Sequence, residues 1–291
     1  ISLGVAAIPE GLPAITTITL ALGIQRMAKR NALIKHLPSA ETLGATTVIC
    51  SDKTGTLTKN EMTCEYVYAD EQLFHVTGVG YSARGDVQSN NERISIEKES
   101  GLWYTIAAGM HCNNAQYNPT TENMLGDPTE GAMLVVGYKS GIQNVLNRVK
   151  EIPFTSERKK MATVHEMGNG TYRTFAKGAV EKILDECTWV LEHGKRIPLT
   201  AGKRNQFLTQ AEELSKSAYR VLGFAYGDTN EISSDPEQSL IFVGLQALRD
   251  PPREEVKDAI VLCHEAGIQV KMITGDHPTT AKAIAEKLGM P

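Results

Sequence analysis

Cysteine is scarce in this chain, and none of it is arranged for a bridge or a metal. Cys50, Cys64, Cys112, Cys187 and Cys263 are odd in number, widely spaced, and form no C-x-x-C pair. A disulfide framework or zinc site is thus without support, and a reducing compartment fits better. An excess of charge of one sign is also lacking: 30 Lys and Arg stand against 34 Asp and Glu, a net charge of −4. Nothing there points to nucleic acid. There is no internal repeat and no low-complexity tract. With 41% hydrophobic and 22% charged residues, the 291 residues have the composition of globular protein, enough for one large domain or two ordinary ones.

The amino end, "ISLGVAAIPEGLPAITTITLALGIQ", lacks charge almost entirely, with Glu10 the one ionisable side chain before Arg26. As a helix this stretch would extend roughly 37 Å, enough to cross the hydrocarbon core. A transmembrane helix is therefore expected over residues 1–25, against the competing reading of a buried core helix. A signal peptide would put its bases before the apolar run, whereas Arg26, Lys29, Arg30 and Lys35 follow it. The positive-inside tendency places that end in the cytoplasm. Pro9-Glu10-Gly11-Leu12-Pro13 would remove helical donors and free carbonyls. A carboxylate at bilayer depth costs roughly 2.5–3.5 kcal/mol. The residues alone leave two readings open: an oxygen cage for a hard cation, or a kinked helix whose Glu10 hydrogen-bonds a neighbouring span. Starting at Ile1 and stopping at Pro291, the chain reads as a piece of something longer.

Further on, "VICSDKTGTL" (48–57) runs a short apolar strand into Asp52 and a Thr-Gly turn. A polar strand end with a turn explains this blandly; a nucleophile at the carboxyl end of a sheet explains it functionally. "VKMITGD" (270–276) repeats the arrangement, with the amphipathic helix "PREEVKDAIVLCHEAG" before it and "PTTAKAIAEKL" after it, closed by Gly289. Helix, strand, turn, helix is the grammar of a doubly wound parallel sheet. Between these halves lies an α+β region with a hairpin over "MATVHEMGNGTYRTFAKG". Its helices are expected in "GDPTEGAMLVVGYKSG" and "NQFLTQAEELSKSAYRVL". This region is entered near Lys59 and left near Asp250-Pro251-Pro252, where the prolines suit a stiff hinge.

The order of "PEGLP", "HLPSAETLG", "DKTGTLT", "KGA", "DPPR" and "TGD" resembles that in P-type cation-transporting ATPases, over essentially the whole chain. With the PEGLP stretch it looks like the subgroup of sarcoplasmic-reticulum-type calcium pumps and their bacterial relatives. The resemblance implies an α/β fold: a split, incomplete phosphorylation domain of haloacid-dehalogenase type, an inserted α+β nucleotide-binding domain, and one amino-terminal transmembrane helix. The divisions expected are 1–25 for the membrane helix, 26–60 for stalk and first part of the phosphorylation domain, 61–249 for the nucleotide-binding domain, and 250–291 for the truncated second part. Residues 26–291 would be cytoplasmic in a multi-pass parent. The other membrane helices, the lipid bilayer and an actuator domain would be partners of the whole pump.

By the same resemblance, Asp52 would take the γ-phosphoryl group of ATP as an aspartyl-phosphate. Backbone N–H groups of Lys53-Thr54-Gly55-Thr56 can form an anion nest. Asp52 and the Thr54 carbonyl would hold Mg²⁺, with Thr56, Thr274 and Gly275 on the phosphoryl group and Asp276 near by. Related phosphatases carry a second Asp where this chain has Thr54, and threonine is a poor proton shuttle, so hydrolysis of the intermediate should be slow. The nucleotide would meet Phe154, Lys159, Met161, Lys177, Gly178, Glu130, Arg220 and Arg253. Ser156 stands where animal calcium pumps carry arginine, and Val180 replaces the usual proline after Lys-Gly-Ala. Glu10 would bind the transported cation through its side chain, and Val5, Ala6 and Ile8 through backbone carbonyls. Oxygen-only ligands favour Ca²⁺, ahead of Mn²⁺ or Na⁺ as alternatives. Two other classes remain open: a soluble phosphatase sharing the Asp52 loop, and a nucleotide-binding module without catalysis.

Overall fold

The computed structural model describes residues 11–142, 146–168, 170–232, 235–275 and 278–290. They divide into two units, one of Ile1–Ser51 with Asp258–Lys271, the other of Asp52–Lys257 with Met272–Pro291.

In the first unit the helix Leu12–Ala28 starts at Gly11 and carries proline in its first turn, the one place in a helix where the missing N–H is no loss. Pro13 therefore begins this helix and does not break it. The helix has 17 residues, a rise of roughly 26 Å against a hydrocarbon core of about 30 Å. The membrane crossing expected over residues 1–25 is corrected to that extent: among the described residues no helix is long and apolar enough to cross a membrane. Val5, Ala6, Ile8 and Glu10, the cation ligands expected by resemblance, lie outside the described residues.

The short apolar strand expected to run into Asp52 is β1 (Val48–Asp52), and it pairs with β15 (Gln269–Ile273) in a two-stranded sheet. The Gln269 N–H donates to the Thr47 carbonyl at 2.8 Å. The strands thus begin level and run the same way, which brings Asp52 and Thr274 to the same end. The helices expected on either side of β15 are Glu254–Glu265 and Pro278–Leu288, the latter closed by Gly289 at φ 72°. Two paired strands are all that this sheet contains among the described residues.

The second unit is built on an 11-stranded sheet. Its strands are β2 (Thr63–Ala69), β3 (Gln72–Val76), β4 (Val87–Ser89) and β5 (Glu92–Arg93), then β8 (Asn147–Ile152), β9 (Lys160–Gly168) and β10 (Thr171–Gly178). They are completed by β11 (Cys187–Glu192), β12 (Lys195–Pro198), β13 (Arg220–Thr229) and β14 (Leu240–Arg249). The order is β5-β4-β3-β2-β14-β13-β10-β9-β8, with the β11–β12 hairpin attached to β14. Strands β6 (Gln116–Asn118) and β7 (Asn123–Leu125) form a separate small hairpin. Pairing is antiparallel except between β11 and β14. The expected hairpin over 161–178 is β9–β10, with Gly168 at φ 86° and Gly170 at φ 73° flanking its turn; Asn169 lies outside the described residues.

Side chains alternate across a strand, and both faces of this sheet are covered. Phe175, Phe224, Tyr226 and Val243 pack with Ile106, Met133 and Val136, which come from the helices Gly101–His111 and Pro128–Lys139. Ala176, Ala225, Phe242 and Leu245 pack on the other side with Ile183, Phe207 and Ala211, from Val180–Asp185 and Ala201–Lys216. Double-sided burial is why "LIFVGLQAL" reads as an apolar run broken by a polar side chain at Gln246 alone. One helix expectation is corrected. The segment 205–222 is not helical throughout: the helix ends at Lys216, Ala218 takes φ 65°, and Arg220 opens β13.

Candidate functional site

A cavity of about 540 Å³ opens on the second unit, lined by Asn114, Asp127, Thr129, Glu130, Met133, Pro153, Phe154, Met161, Lys177, Arg220 and Leu222. Five of the side chains singled out from the sequence meet here: Glu130, Phe154, Met161, Lys177 and Arg220. They come from four elements and a turn. Asp127 caps the helix Pro128–Lys139, its carboxylate accepting from the N–H groups of Thr129 at 2.8 Å and Glu130 at 3.3 Å. This is the Asp-Pro start favoured at helix amino ends, and it puts Thr129 and Glu130 in the first turn, beside the cavity. Strand β9 contributes Met161, β10 Lys177, and β13 Arg220 and Leu222. The turn after β8 contributes Pro153 and Phe154.

At the floor the Lys177 ammonium pairs with Glu130 Oε1 at 2.6 Å, the two side chains 8% and 15% exposed. The Asn114 N–H donates to the other oxygen, Glu130 Oε2, at 3.0 Å. Burying a lysine and a glutamate is tolerable because each compensates the other. The Arg220 guanidinium donates to Thr129 Oγ1 at 2.7 Å. Met133 and Met161 are buried behind these polar groups, while the Phe154 ring is 57% exposed. A flat aromatic face at the rim, apolar thioethers within and a few convergent charges make a site for a planar ligand with an anionic tail.

Three expected nucleotide residues do not line this cavity. Lys159 adopts φ 54°; its N–H donates to the Thr155 carbonyl and its own carbonyl accepts from Ala179 N–H. Gly178 packs against that backbone: a Cβ there would lie 2.4 Å from the Lys159 oxygen. Arg253 is placed on the loop after β1 instead, with Nε donating to the Thr58 carbonyl and a terminal nitrogen to the Gly55 carbonyl, both at 3.1 Å. Asn114, Asp127, Thr129, Met133, Pro153 and Leu222 were not singled out from the sequence. The Asp-Pro-Thr-Glu helix start was the signal for two of them; Met133 lies further along that helix, Leu222 is brought in by the register of β13, and Asn114 and Pro153 come from loops.

After β1 the chain turns tightly over Lys53–Leu57, with Thr54 extended at φ −75°, ψ 123° and Gly55 left-handed at φ 73°. Glycine is needed where φ is positive. Lys53, Leu57 and Thr58 are buried; Asp52, Thr54 and Thr56 face outward. Thr58 Oγ1 accepts from the Gly55 N–H at 3.3 Å and lies against the Asp250 carboxylate. Thr274 and Gly275 follow β15 directly; Asp276 lies outside the described residues.

An antiparallel sheet sheathed by helices, with a charged cavity lined from its strands and a helix start, is a mixed α/β domain. Residues 103–255 match the model of the P-type ATPase cytoplasmic domain N, and the chain belongs to the P-type ATPase family. It is 45% identical to calcium-transporting ATPase 1 of Bacillus cereus, covering all of this chain and 31% of that protein. It is 41% identical to the human calcium-transporting ATPase type 2C member 1, again over all of this chain and 31% of the relative. The alpha chain 2 of the potassium-transporting ATPase of Rattus norvegicus is 38% identical, with 100% of this chain and 30% of that one covered. The chain thus spans about a third of the length of these relatives.

Proposed function

We propose that the chain is a segment of an ATP-driven cation pump that binds ATP in the 540 Å³ cavity and carries its phosphoryl group on Asp52. The observation that carries this reading is the convergence of Glu130, Phe154, Met161, Lys177 and Arg220 on one cavity. Phe154 stacks on the base, Glu130 accepts from an exocyclic amino group, Lys177 forms the floor through its pair with Glu130, and Arg220 faces the anionic part. Lys159 and Gly178 act from behind, through the backbone of the loop that bears Phe154. Arg253 acts through the Gly55–Thr58 loop. In domain terms, residues 61–249 are the proposed nucleotide-binding domain, with 26–60 and 250–291 the two parts of a haloacid-dehalogenase-like phosphorylation domain.

In the transfer, an Asp52 carboxylate oxygen attacks the γ-phosphorus. The bond to the β–γ bridging oxygen breaks, and its electron pair leaves with ADP. The nest of N–H groups over Lys53–Thr56, with Gly55 at φ 73°, and the Thr56, Thr274 and Gly275 groups receive the phosphoryl oxygens. The outward Asp52 carboxylate and Thr54 carbonyl are hard oxygen donors, which fit Mg²⁺, an ion that keeps water and phosphate oxygens as its other ligands. When bound it neutralises phosphoryl charge. Thr54 leaves no carboxylic acid two residues after the nucleophile, so the intermediate is long-lived.

Ca²⁺ is the proposed cargo, supported by the calcium-transporting relatives and by the oxygen-only donors read at Val5, Ala6, Ile8 and Glu10. Calorimetric titration with ATP tests the cavity directly: saturable binding that Phe154→Ala and Lys177→Met each weaken at least tenfold supports the reading, and equal binding by both variants and the unaltered chain removes it. A phosphatase or an inert binding module would show no such dependence combined with a labelled Asp52.

A further inference from the structure

The loop that carries Phe154 is fixed from outside the cavity. Pro153–Lys159 joins β8 to β9 and closes on itself, Arg158 N–H donating to Thr155 Oγ1 at 3.2 Å and Lys159 N–H to the Thr155 carbonyl at 2.8 Å. Lys159 sits at φ 54°, a left-handed conformation that a lysine keeps only where its surroundings impose it. Arg158 supplies that constraint. One guanidinium nitrogen donates to the Pro153 carbonyl at 3.0 Å, and another pairs with the Glu237 carboxylate.

Glu237 lies 79 residues away, in the connection between β13 and β14. It is only 5% exposed. Lys160 approaches the same carboxylate at 3.4 Å and is itself held by Glu186 at 2.6 Å. The remaining oxygen, Glu237 Oε1, is buried without a hydrogen-bond partner among the described residues. A carboxylate this deeply buried persists only through its cations. Those cations are Arg158 and Lys160, one on each side of Lys159, so Glu237 grips the chain on both sides of the strained residue.

We propose that Glu237 is a positioning residue for the adenine nucleotide, holding Phe154 in its stacking pose through Arg158 without touching the ligand. The inference rests on reading the cavity as the nucleotide site. Because the Phe154 ring is 57% exposed, little packing orients it, and its pose follows the backbone of the loop. Loosening the loop transfers the cost of ordering it to the binding step.

The test measures phosphoenzyme formation by the full-length protein against two donors: ATP, and acetyl phosphate, which has no base to stack. Glu237→Gln and Arg158→Met should each raise the half-saturating ATP concentration about threefold to tenfold, the scale of a lost preorganising contact. The maximal phosphoenzyme level and the acetyl phosphate dependence should not move. The double variant should be no worse than the worse single one, since both remove one link. A general loss of stability would depress both donors together; that outcome, or an unchanged ATP dependence, overturns the proposal. Absence of saturable ATP dependence in the unaltered protein would instead remove the nucleotide reading, and this inference with it.

Discussion

Thr58 and Asp250, 192 positions apart in sequence, meet side chain to side chain, the Thr58 hydroxyl donating to Asp250 Oδ2. The bond ties the segment leading into the sheet to the segment leaving it. It is reinforced by the Lys59 N–H on the Pro251 carbonyl at 3.1 Å and the Arg253 N–H on the Leu57 carbonyl at 3.0 Å. Asp250 Oδ1 is already buried without a hydrogen-bond partner among the described residues. Thr58→Val would leave the second oxygen without its donor as well, a loss of about 1–3 kcal/mol. Equilibrium unfolding in urea should show a lower midpoint for Thr58→Val; an unchanged midpoint would mean that water replaces the hydroxyl.

Lys177 and Glu130 make the corresponding bond at the cavity floor, 2.6 Å long. Lys177→Met strands a carboxylate that is 15% exposed, with an expected cost of about 3 kcal/mol. The double variant Lys177→Met, Glu130→Gln removes the stranded charge and should recover most of that stability without recovering ATP binding. Thermal unfolding and nucleotide titration of the same samples separate the two effects.

A methyl group at position 178 is predicted to act at a distance. Gly178→Ala would place a Cβ 2.4 Å from the Lys159 carbonyl oxygen and 2.7 Å from Lys160 Cα. Backbone must move, at about 1–3 kcal/mol for overpacking. The displaced turn is the one that carries Phe154, so ATP affinity should fall together with stability. Stability lost with affinity intact would argue against any link between Gly178 and the site.

Acid should unfold the second unit before most carboxylates titrate. His111 and His165 pack ring against ring at 5.5 Å beside Phe175. Burial, with neighbouring positive charge, pushes each down to about 4 from the ordinary 6.5. The folded chain keeps both neutral while the unfolded chain protonates them below about 6.5. Their contribution is therefore full above pH 6.5 and is lost as pH falls toward 4. Two extra protons on the unfolded chain correspond to a slope of about 2.7 kcal/mol per pH unit. His165→Gln should roughly halve the slope in stability measured from pH 7 to 4.5; an unaltered slope would assign the acid sensitivity elsewhere.

How much of this was legible in the sequence differs by element. The hairpin over 161–178 could be read because Gly168 and Gly170 mark its turn, and the helix at Pro128 because Asp127 and Pro128 are a start signal. Glu130, Phe154, Met161, Lys177 and Arg220 were reachable through the order of motifs. Asn114 and Leu222 were not, because the first enters the cavity from the loop after the helix Gly101–His111 and the second by the register of β13. The helix expected through Leu222 failed because Arg220-Val221-Leu222 has apolar residues compatible with either period, and pairing with Leu248, Ala247 and Gln246 decides for strand. Arg253, expected at the nucleotide, could not be placed on its own partners, since a guanidinium satisfied by two loop carbonyls looks in sequence like any exposed base.

The most direct measurement labels the full-length protein with γ-phosphate-marked ATP, with and without Ca²⁺, and repeats it with Asp52→Asn. The account predicts an acid-stable, hydroxylamine-labile label that needs Ca²⁺ and is absent from the variant. Label that survives in Asp52→Asn would contradict it.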